Sequence, residues 1–250
     1  MASTKATVLV TGANQGIGYA VSQLLASSGK YHVLVSARSA ANASAGIEKL
    51  ESEGAADATA LTLLTLDVTD DASITAAAQA VQAKFGSFDI LINNAGIGVG
   101  EPGASVREQF RAVFEVNVFG VAAVTDAFLP LLKASKYADQ RIVNVTSGLG
   151  LISMAGKKGY AFNAAAWYAP DYRSSKAALN MITAAQSVKF AGEGITVVAA
   201  APGMCRTKFK GGQGRKEASD DAKVVVRVAT EGNPAEVRGT YVCDEASDGW

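Results

Sequence analysis

A chain of 250 residues is long enough for one large α/β domain with a sizeable core, and its 49% hydrophobic content excludes a disordered chain. Equal numbers of basic and acidic residues, 23 each, give no net charge and argue against a nucleic-acid protein, which carries a basic excess. Two cysteines make no disulfide framework, and a single histidine leaves little material for a transition-metal site, so no metal is expected.

No apolar run approaches the roughly 18–20 residues that span a bilayer. The first residues, Met1-Ala2-Ser3-Thr4-Lys5, run straight into a strand-like segment and leave no room for a signal peptide. A reduced, cytoplasmic setting without a membrane partner is the expectation.

Short apolar, β-branched runs alternate with Ala-rich stretches along the chain. Strands are predicted at 6–10, 32–35, 60–66, 90–92, 142–145, 196–200 and 240–242. The runs are continuous rather than alternating, as in strands buried on both faces. Helices are predicted at 17–27, 72–85, 106–114, 118–133 and 174–190. This order implies βαβ units and a single doubly wound α/β domain over 1–250, with a parallel sheet of about seven strands and helices on both faces. Residues 40–46 read as a connection. Residues 148–171 and 207–219 read as loops placed to shape a substrate site or act as lids.

The first strand feeds Thr11-Gly12-Ala13-Asn14-Gln15-Gly16-Ile17-Gly18 and then a helix. Glycines in such a turn let backbone approach a pyrophosphate, and the helix start offers free N–H groups. The spacing is GxxxGxG rather than GxGxxG, the plainer alternative being a tight turn without a ligand. After the second strand, Arg38 and Ser39 stand where an acidic residue would accept ribose hydroxyls. An Arg there offers a donor fork to a 2′-phosphate, the plainer alternative being a solvated surface Arg. Asp67 and Val68 end the third strand, where a carboxylate can meet an adenine amine or simply cap a turn. Asn93-Asn94-Ala95-Gly96 ends the fourth, with small residues that admit a ribose.

Tyr172 is the one tyrosine of seven followed four residues later by a lysine, Lys176. On a helix these positions share a face. A neighbouring ammonium favours the phenolate and lowers the phenol's pKa, which suits acid–base work.

Taken in order, these motifs strongly resemble the short-chain dehydrogenase/reductase family. Thr11 to Gly18 resembles its cofactor turn and Asn93 to Gly96 its NNAG signature. Asn117 matches its helix Asn, Ser147 its catalytic Ser and Tyr172/Lys176 its YxxxK. Pro202, Gly203, Cys205 and Thr207 fall in the segment that wraps the nicotinamide. The C-terminal stretch from Gly239 to Trp250 is similar to that of monomeric carbonyl reductases.

The resemblance implies NADPH/NADP+ as cofactor, held by Gly12, Asn14, Gln15, Gly16, Ile17, Gly18, Arg38, Ser39, Asp67, Val68, Asn94, Ala95, Gly96, Tyr172, Lys176, Pro202, Gly203, Cys205 and Thr207. It implies a small-molecule carbonyl or alcohol as substrate and a monomer or homodimer. Tyr172 would be the general acid for reduction and Lys176 would depress its pKa and hold the nicotinamide ribose. Ser147 would donate to the carbonyl oxygen, and Asn117 would hold a water that refills the proton.

Three departures from the family pattern stand out. Gln15 replaces the basic residue of many NADPH-preferring relatives, so phosphate recognition rests on Arg38. Cys205 replaces an aliphatic residue and reads as a small hydrophobe. The Ser147–Tyr172 separation is long, and its Tyr160, Phe162, Trp167 and Tyr168 are placed to shape the substrate site. The basic Lys208, Lys210, Arg215 and Lys216 lie over the phosphates or form a solvated lid, and His32 reads as structural. Running the same chemistry as an NADP-dependent alcohol dehydrogenase, or binding NADP(H) as a silent sensor, are the competing functions. A methyltransferase has no use for the Tyr–Lys pair.

Overall fold

The computed structural model describes residues 5–54, 58–159, 168–203 and 217–243. Seven parallel strands form one sheet: β1 (Ala6–Val10), β2 (Tyr31–Ala37), β3 (Leu61–Thr65), β4 (Ile90–Asn93), β5 (Arg141–Val145), β6 (Thr196–Ala201) and β7 (Tyr241–Cys243). Their order is β3-β2-β1-β4-β5-β6-β7. The reversal between β1 and β4 opens a crevice at the carboxyl ends of the strands, the place where such sheets bind ligands.

The helices are α1 (Gly16–Ser27), α2 (Ala40–Ser52), α3 (Asp71–Phe85), α4 (Val106–Phe114), α5 (Gly120–Lys133), α6 (Ile152–Ala155), α7 (Pro170–Ala191), α8 (Ala218–Thr230) and α9 (Pro234–Val237). Because side chains alternate along a strand, the sheet feeds two cores. Val8, Val10, Val33, Val35, Ile90 and Ile92 pack with α1 and α8 on one face. Leu9, Leu34, Leu91, Ile142 and Val197 pack with α3 and α5 on the other. The strands in the middle of the sheet are therefore apolar on both sides, and their continuous runs in the sequence follow directly; only the edge strand β3 exposes residues, Leu63 and Thr65, among the described strands.

Three predicted connections are corrected. Residues 40–46 are the first half of α2, which starts because Ser39 accepts the Asn42 N–H at 3.3 Å as an N-cap. The segment 148–171 carries a 3₁₀ turn at Gly148–Gly150, helix α6 and the start of α7. Likewise 207–219 already includes the beginning of α8 at Ala218. Tyr160, Phe162, Trp167, Lys208, Lys210, Arg215 and Lys216 lie outside the described residues.

α4 and α5 are joined through one π turn, Glu115–Phe119, into a continuous helix of 28 residues that is long and apolar enough to cross a membrane by length and composition. Its packing is that of a core helix. Val113, Val118, Val121, Val124, Phe128 and Leu132 are buried, while Arg111, Glu115 and Asp126 line the opposite, exposed face.

At the amino end of β5, opposite the strand ends that carry the glycine turn, Arg141 is fully buried. It donates to the carbonyls of Val228 (2.7 Å) and Gly232 (2.8 Å), to that of Glu231, and to the Asp139 carboxylate. The guanidinium thus closes the C-terminal end of α8, where free carbonyls concentrate negative charge. His32 is structural, as read: its Nε2 lies 2.9 Å from Thr62 Oγ1 and its ring packs on Phe85. Burial, with Lys84 nearby, lowers its pKa.

Candidate active site

The site sits at the carboxyl edge of β1, β4 and β5, closed by α7. Gly12 and Gly16 have φ of +62° and +57°, which only glycine adopts without strain. A Cβ on Gly18 would come within 2.4 Å of both Asn94 Nδ2 and Gly12 O. That glycine lets α1 start directly against the end of β4. Gln15 leaves the start of α1 without a side-chain cap, and the first turn of the helix carries no acidic residue. A helix start of this kind matches a pyrophosphate.

Thr11 couples the first turn to the fourth strand. Its Oγ1 accepts the N–H groups of Asn94 and Ala95, both at 2.9 Å, and Asn94 Nδ2 donates to Thr11 O at 2.9 Å and Gly12 O at 3.2 Å. Asn94 is thereby a frame residue whose side chain faces protein. Ala13 N donates to Ser36 O at 2.8 Å, which sets the end of β2 beside the turn. Arg38 and Ser39 follow there, both exposed. Asp67 Oδ1 accepts from Thr69 N at 3.0 Å and Thr69 Oγ1 at 2.8 Å, so the turn reading of this Asp holds at that oxygen.

Helix α7 carries the Tyr–Lys pair on its inner face. It starts from Ala169 in the left-handed region (φ 48°), followed by Pro170 at its first position. The buried Asp171 carboxylate accepts the Tyr172 N–H at 2.8 Å, a favourable place for negative charge. Tyr172 and Lys176 are 8% and 4% exposed. The Lys176 ammonium lies 5.7 Å from the centre of the Tyr172 ring, and it donates to Val145 O at 2.9 Å. Burial pulls its pKa from 10.5 to about 8.

Ser147 follows β5 in extended conformation and opens the 3₁₀ turn. Its Oγ accepts the Leu149 N–H at 3.2 Å, a bond that leaves the hydroxyl its own proton to donate. Asn117 lies in the π turn and is fully buried. Its Oδ1 accepts from Ile97 N at 2.9 Å, and its Nδ2 donates to Ile97 O at 2.9 Å and Ser175 Oγ at 3.0 Å. The carboxamide is therefore taken up in joining the fourth-strand loop to α7. Gly203, beyond β6, has φ of +90° and lies against the Asp221 carboxylate. Cys205 and Thr207 lie outside the described residues.

The structure thus gathers Gly12, Gly18, Asn94, Ala95, Asn117, Ser147, Tyr172 and Lys176 at one edge of the sheet. It adds Ser175, Thr146 and Asn180, which the sequence did not single out, and gives Thr11, read only as the start of the glycine turn, a bonding role of its own. Asn180, four residues beyond Lys176 on the same helix face, was the readable hint.

Comparison with known proteins agrees with this fold. Residues 6–218 match the short chain dehydrogenase family. The chain is 55% identical over 245 residues to the short-chain dehydrogenase anuI of Penicillium roqueforti, covering 98% of this chain and 96% of that one. In structure it is similar to an NADPH-bound carbonyl reductase from chicken fatty liver, with a TM-score of 0.80, 30% identity, and coverage of 99% of this chain and 100% of that one. It is similar too to a 3-ketoacyl-(acyl-carrier-protein) reductase from Brucella melitensis complexed with NADH (TM-score 0.74, 27% identity, 96% of each chain). With this fold, this ordered set of residues and these relatives, the chain belongs to the short-chain dehydrogenase/reductase family of oxidoreductases.

Proposed function

We propose that the protein is an NADPH-dependent reductase that converts an aldehyde, ketone or quinone carbonyl to the alcohol, with Tyr172 as general acid. The observation that carries this reading is the inner face of α7. There a buried phenol and a fully buried ammonium stand one helical turn apart, the ammonium 5.7 Å from the ring centre. When bound, NADPH supplies the hydride that reaches the carbonyl carbon. The Tyr172 hydroxyl delivers the proton to the carbonyl oxygen, where negative charge develops. Ser147 donates a second hydrogen bond to that oxygen. Lys176 uses one N–H on Val145 O and has two more donors for ribose hydroxyls. Below pH ~8 it is a cation that favours the phenolate. The Asn117 carboxamide is taken up by Ile97 and Ser175, so in this reading Asn117 serves by holding the fourth-strand loop against α7.

Arg38, exposed at the end of β2 beside the glycine turn, supports NADPH over NADH. The stretches 96–100 and 147–156, which adjoin Asn94 to Gly96 and start at Ser147, carry no charge, and Val99 and Ile152 expose 71% and 80% of their surface. Such a rim suits an uncharged, apolar carbonyl compound.

The test is NADPH oxidation across quinones, diketones, aromatic aldehydes and ketones. Tyr172→Phe should lower kcat on any accepted substrate by at least ~10²-fold. A variant as fast as wild type removes Tyr172 from the mechanism. A wild type that binds NADPH but oxidises none across the panel identifies a sensor.

A further inference from the structure

Asn180 is buried on the inner face of α7, one turn beyond Lys176. An amide there is poorly suited to a helix interior and costly to bury without partners. Its partners lie on one short segment. Thr146 Oγ1 donates to Asn180 Oδ1 at 2.6 Å, and Asn180 Nδ2 reaches Gly150 O at 3.4 Å. The amide orientation is forced, because a carbonyl such as Gly150 O only accepts, so the NH₂ faces it and the oxygen faces the hydroxyl. These two partners bracket Ser147, one residue before it and three after.

Two further contacts press the same segment onto α7. Lys176 Nζ donates to Val145 O. A Cβ on Gly150 would lie 2.7 Å from the Lys176 carbonyl carbon and 2.9 Å from Ala177 N, so the turn rests directly on the helix backbone. Ser147 and Tyr172 come from different elements, yet both must reach one substrate oxygen. We propose that Asn180 is a positioning residue that clips the Ser147 turn to the Tyr172–Lys176 helix and sets the distance between the two donors. The inference rests on the proton-delivery reading of Ser147 and Tyr172 given above.

The test uses the full chain with an accepted carbonyl substrate. Steady-state kinetics, NADPH dissociation constants and thermal melts are compared for wild type, Ser147→Ala, Thr146→Val, Thr146→Ser, Asn180→Leu and the Thr146→Val/Asn180→Leu double variant. Thr146→Val and Asn180→Leu should each lower kcat by about 10–100-fold, the size of effect that a displacement near 1 Å produces. NADPH affinity should stay within about threefold, because the glycine turn and β2 are untouched. The double variant should lose no more than the worse single one, since both remove one clip. Thr146→Ser keeps the hydroxyl and should recover most of kcat. Thr146→Val keeps the side-chain shape and carries the test if Asn180→Leu does not fold.

A folded Thr146→Val or Asn180→Leu with kcat within about twofold of wild type overturns the clip. So does NADPH affinity that falls in step with kcat, which would mark a general structural role. Full activity in Ser147→Ala overturns the proton-delivery reading itself; a damaged Ser147→Ala beside undamaged Thr146→Val and Asn180→Leu overturns the clip alone.

Discussion

At the scale of single residues, Lys176 shows the tension between stability and use. A fully buried ammonium is costly, and its pKa of about 8 against the ordinary 10.5 measures that cost. The difference corresponds to about 3 kcal/mol. The sign follows from proton counting. Between pH ~8 and ~10.5 the unfolded chain holds the proton and the native chain does not, so this group's penalty is full below pH ~8 and fades as pH rises through that window. Lys176→Met should therefore be more stable than wild type at pH 7, by up to about 3 kcal/mol in urea unfolding less the cost of leaving Val145 O without its donor. The advantage should shrink toward pH 10.5, and kcat should be lost at every pH. A variant less stable than wild type at pH 7 would show that the bond to Val145 outweighs the burial cost.

At the scale of elements, the two ends of a strand do different work. β5 starts at Arg141, which holds the end of α8, and leads at its other end to Ser147. Replacing Arg141 by Met strands the Val228, Glu231 and Gly232 carbonyls and leaves Asp139 without its guanidinium. The expected loss is about 3 kcal/mol or more in urea unfolding. The NADPH dissociation constant should change little, because the cofactor edge lies across the sheet; a joint loss would show that β5 transmits the defect.

The same scale explains what was readable beforehand. Strand positions were readable because both faces are buried, so Val8 to Val10 or Ile90 to Ile92 leave no helical period. Helix α2 was missed because Ala40-Ala41-Asn42-Ala43-Ser44 has the look of a turn, and its start depends on one cap, Ser39. Helix α8 was missed because Val224-Val225-Val226 is a β-branched run that its contacts with α1 hold helical. Tyr172 and Lys176 were readable because their pairing is local. Asn180 shares their helix face by spacing, but its role was not readable, since its partner Thr146 lies 34 positions away; nor was that of Ser175, whose Asn117 partner lies 58 away. Local spacing reveals pairs within a helix; only the folded sheet reveals partners across it.

At the scale of the whole molecule, the crevice between β1 and β4 couples binding to stability. A ligand that binds only the native chain adds about 2.7 kcal/mol at a concentration one hundred times its dissociation constant. For a chain of this size that is a rise of about 5–10 °C in Tm. With equal concentrations of the two cofactors, NADPH should raise Tm more than NADH, and Arg38→Ala should remove that difference in a calorimetric scan. Equal shifts in wild type would set aside the phosphate-recognition role of Arg38.

The π turn at Glu115–Phe119 has a consequence for how this chain tolerates change in length. Gly120 N donates to Glu115 O, five residues back, so the helix from Val106 to Lys133 is in effect an α-helix with one residue inserted. One α-helical residue is about 100° of rotation. The insertion lets the outer stretch hold its own register while Asn117 faces Ile97 and Ser175, and while Val124 and Phe128 pack into the core against the sheet. Deleting a single residue there would restore an ideal helix and turn one of its two halves away from its neighbours. This is a place where a more regular backbone would make a worse protein, and where a homologous chain one residue shorter would have to reach the same site by another route.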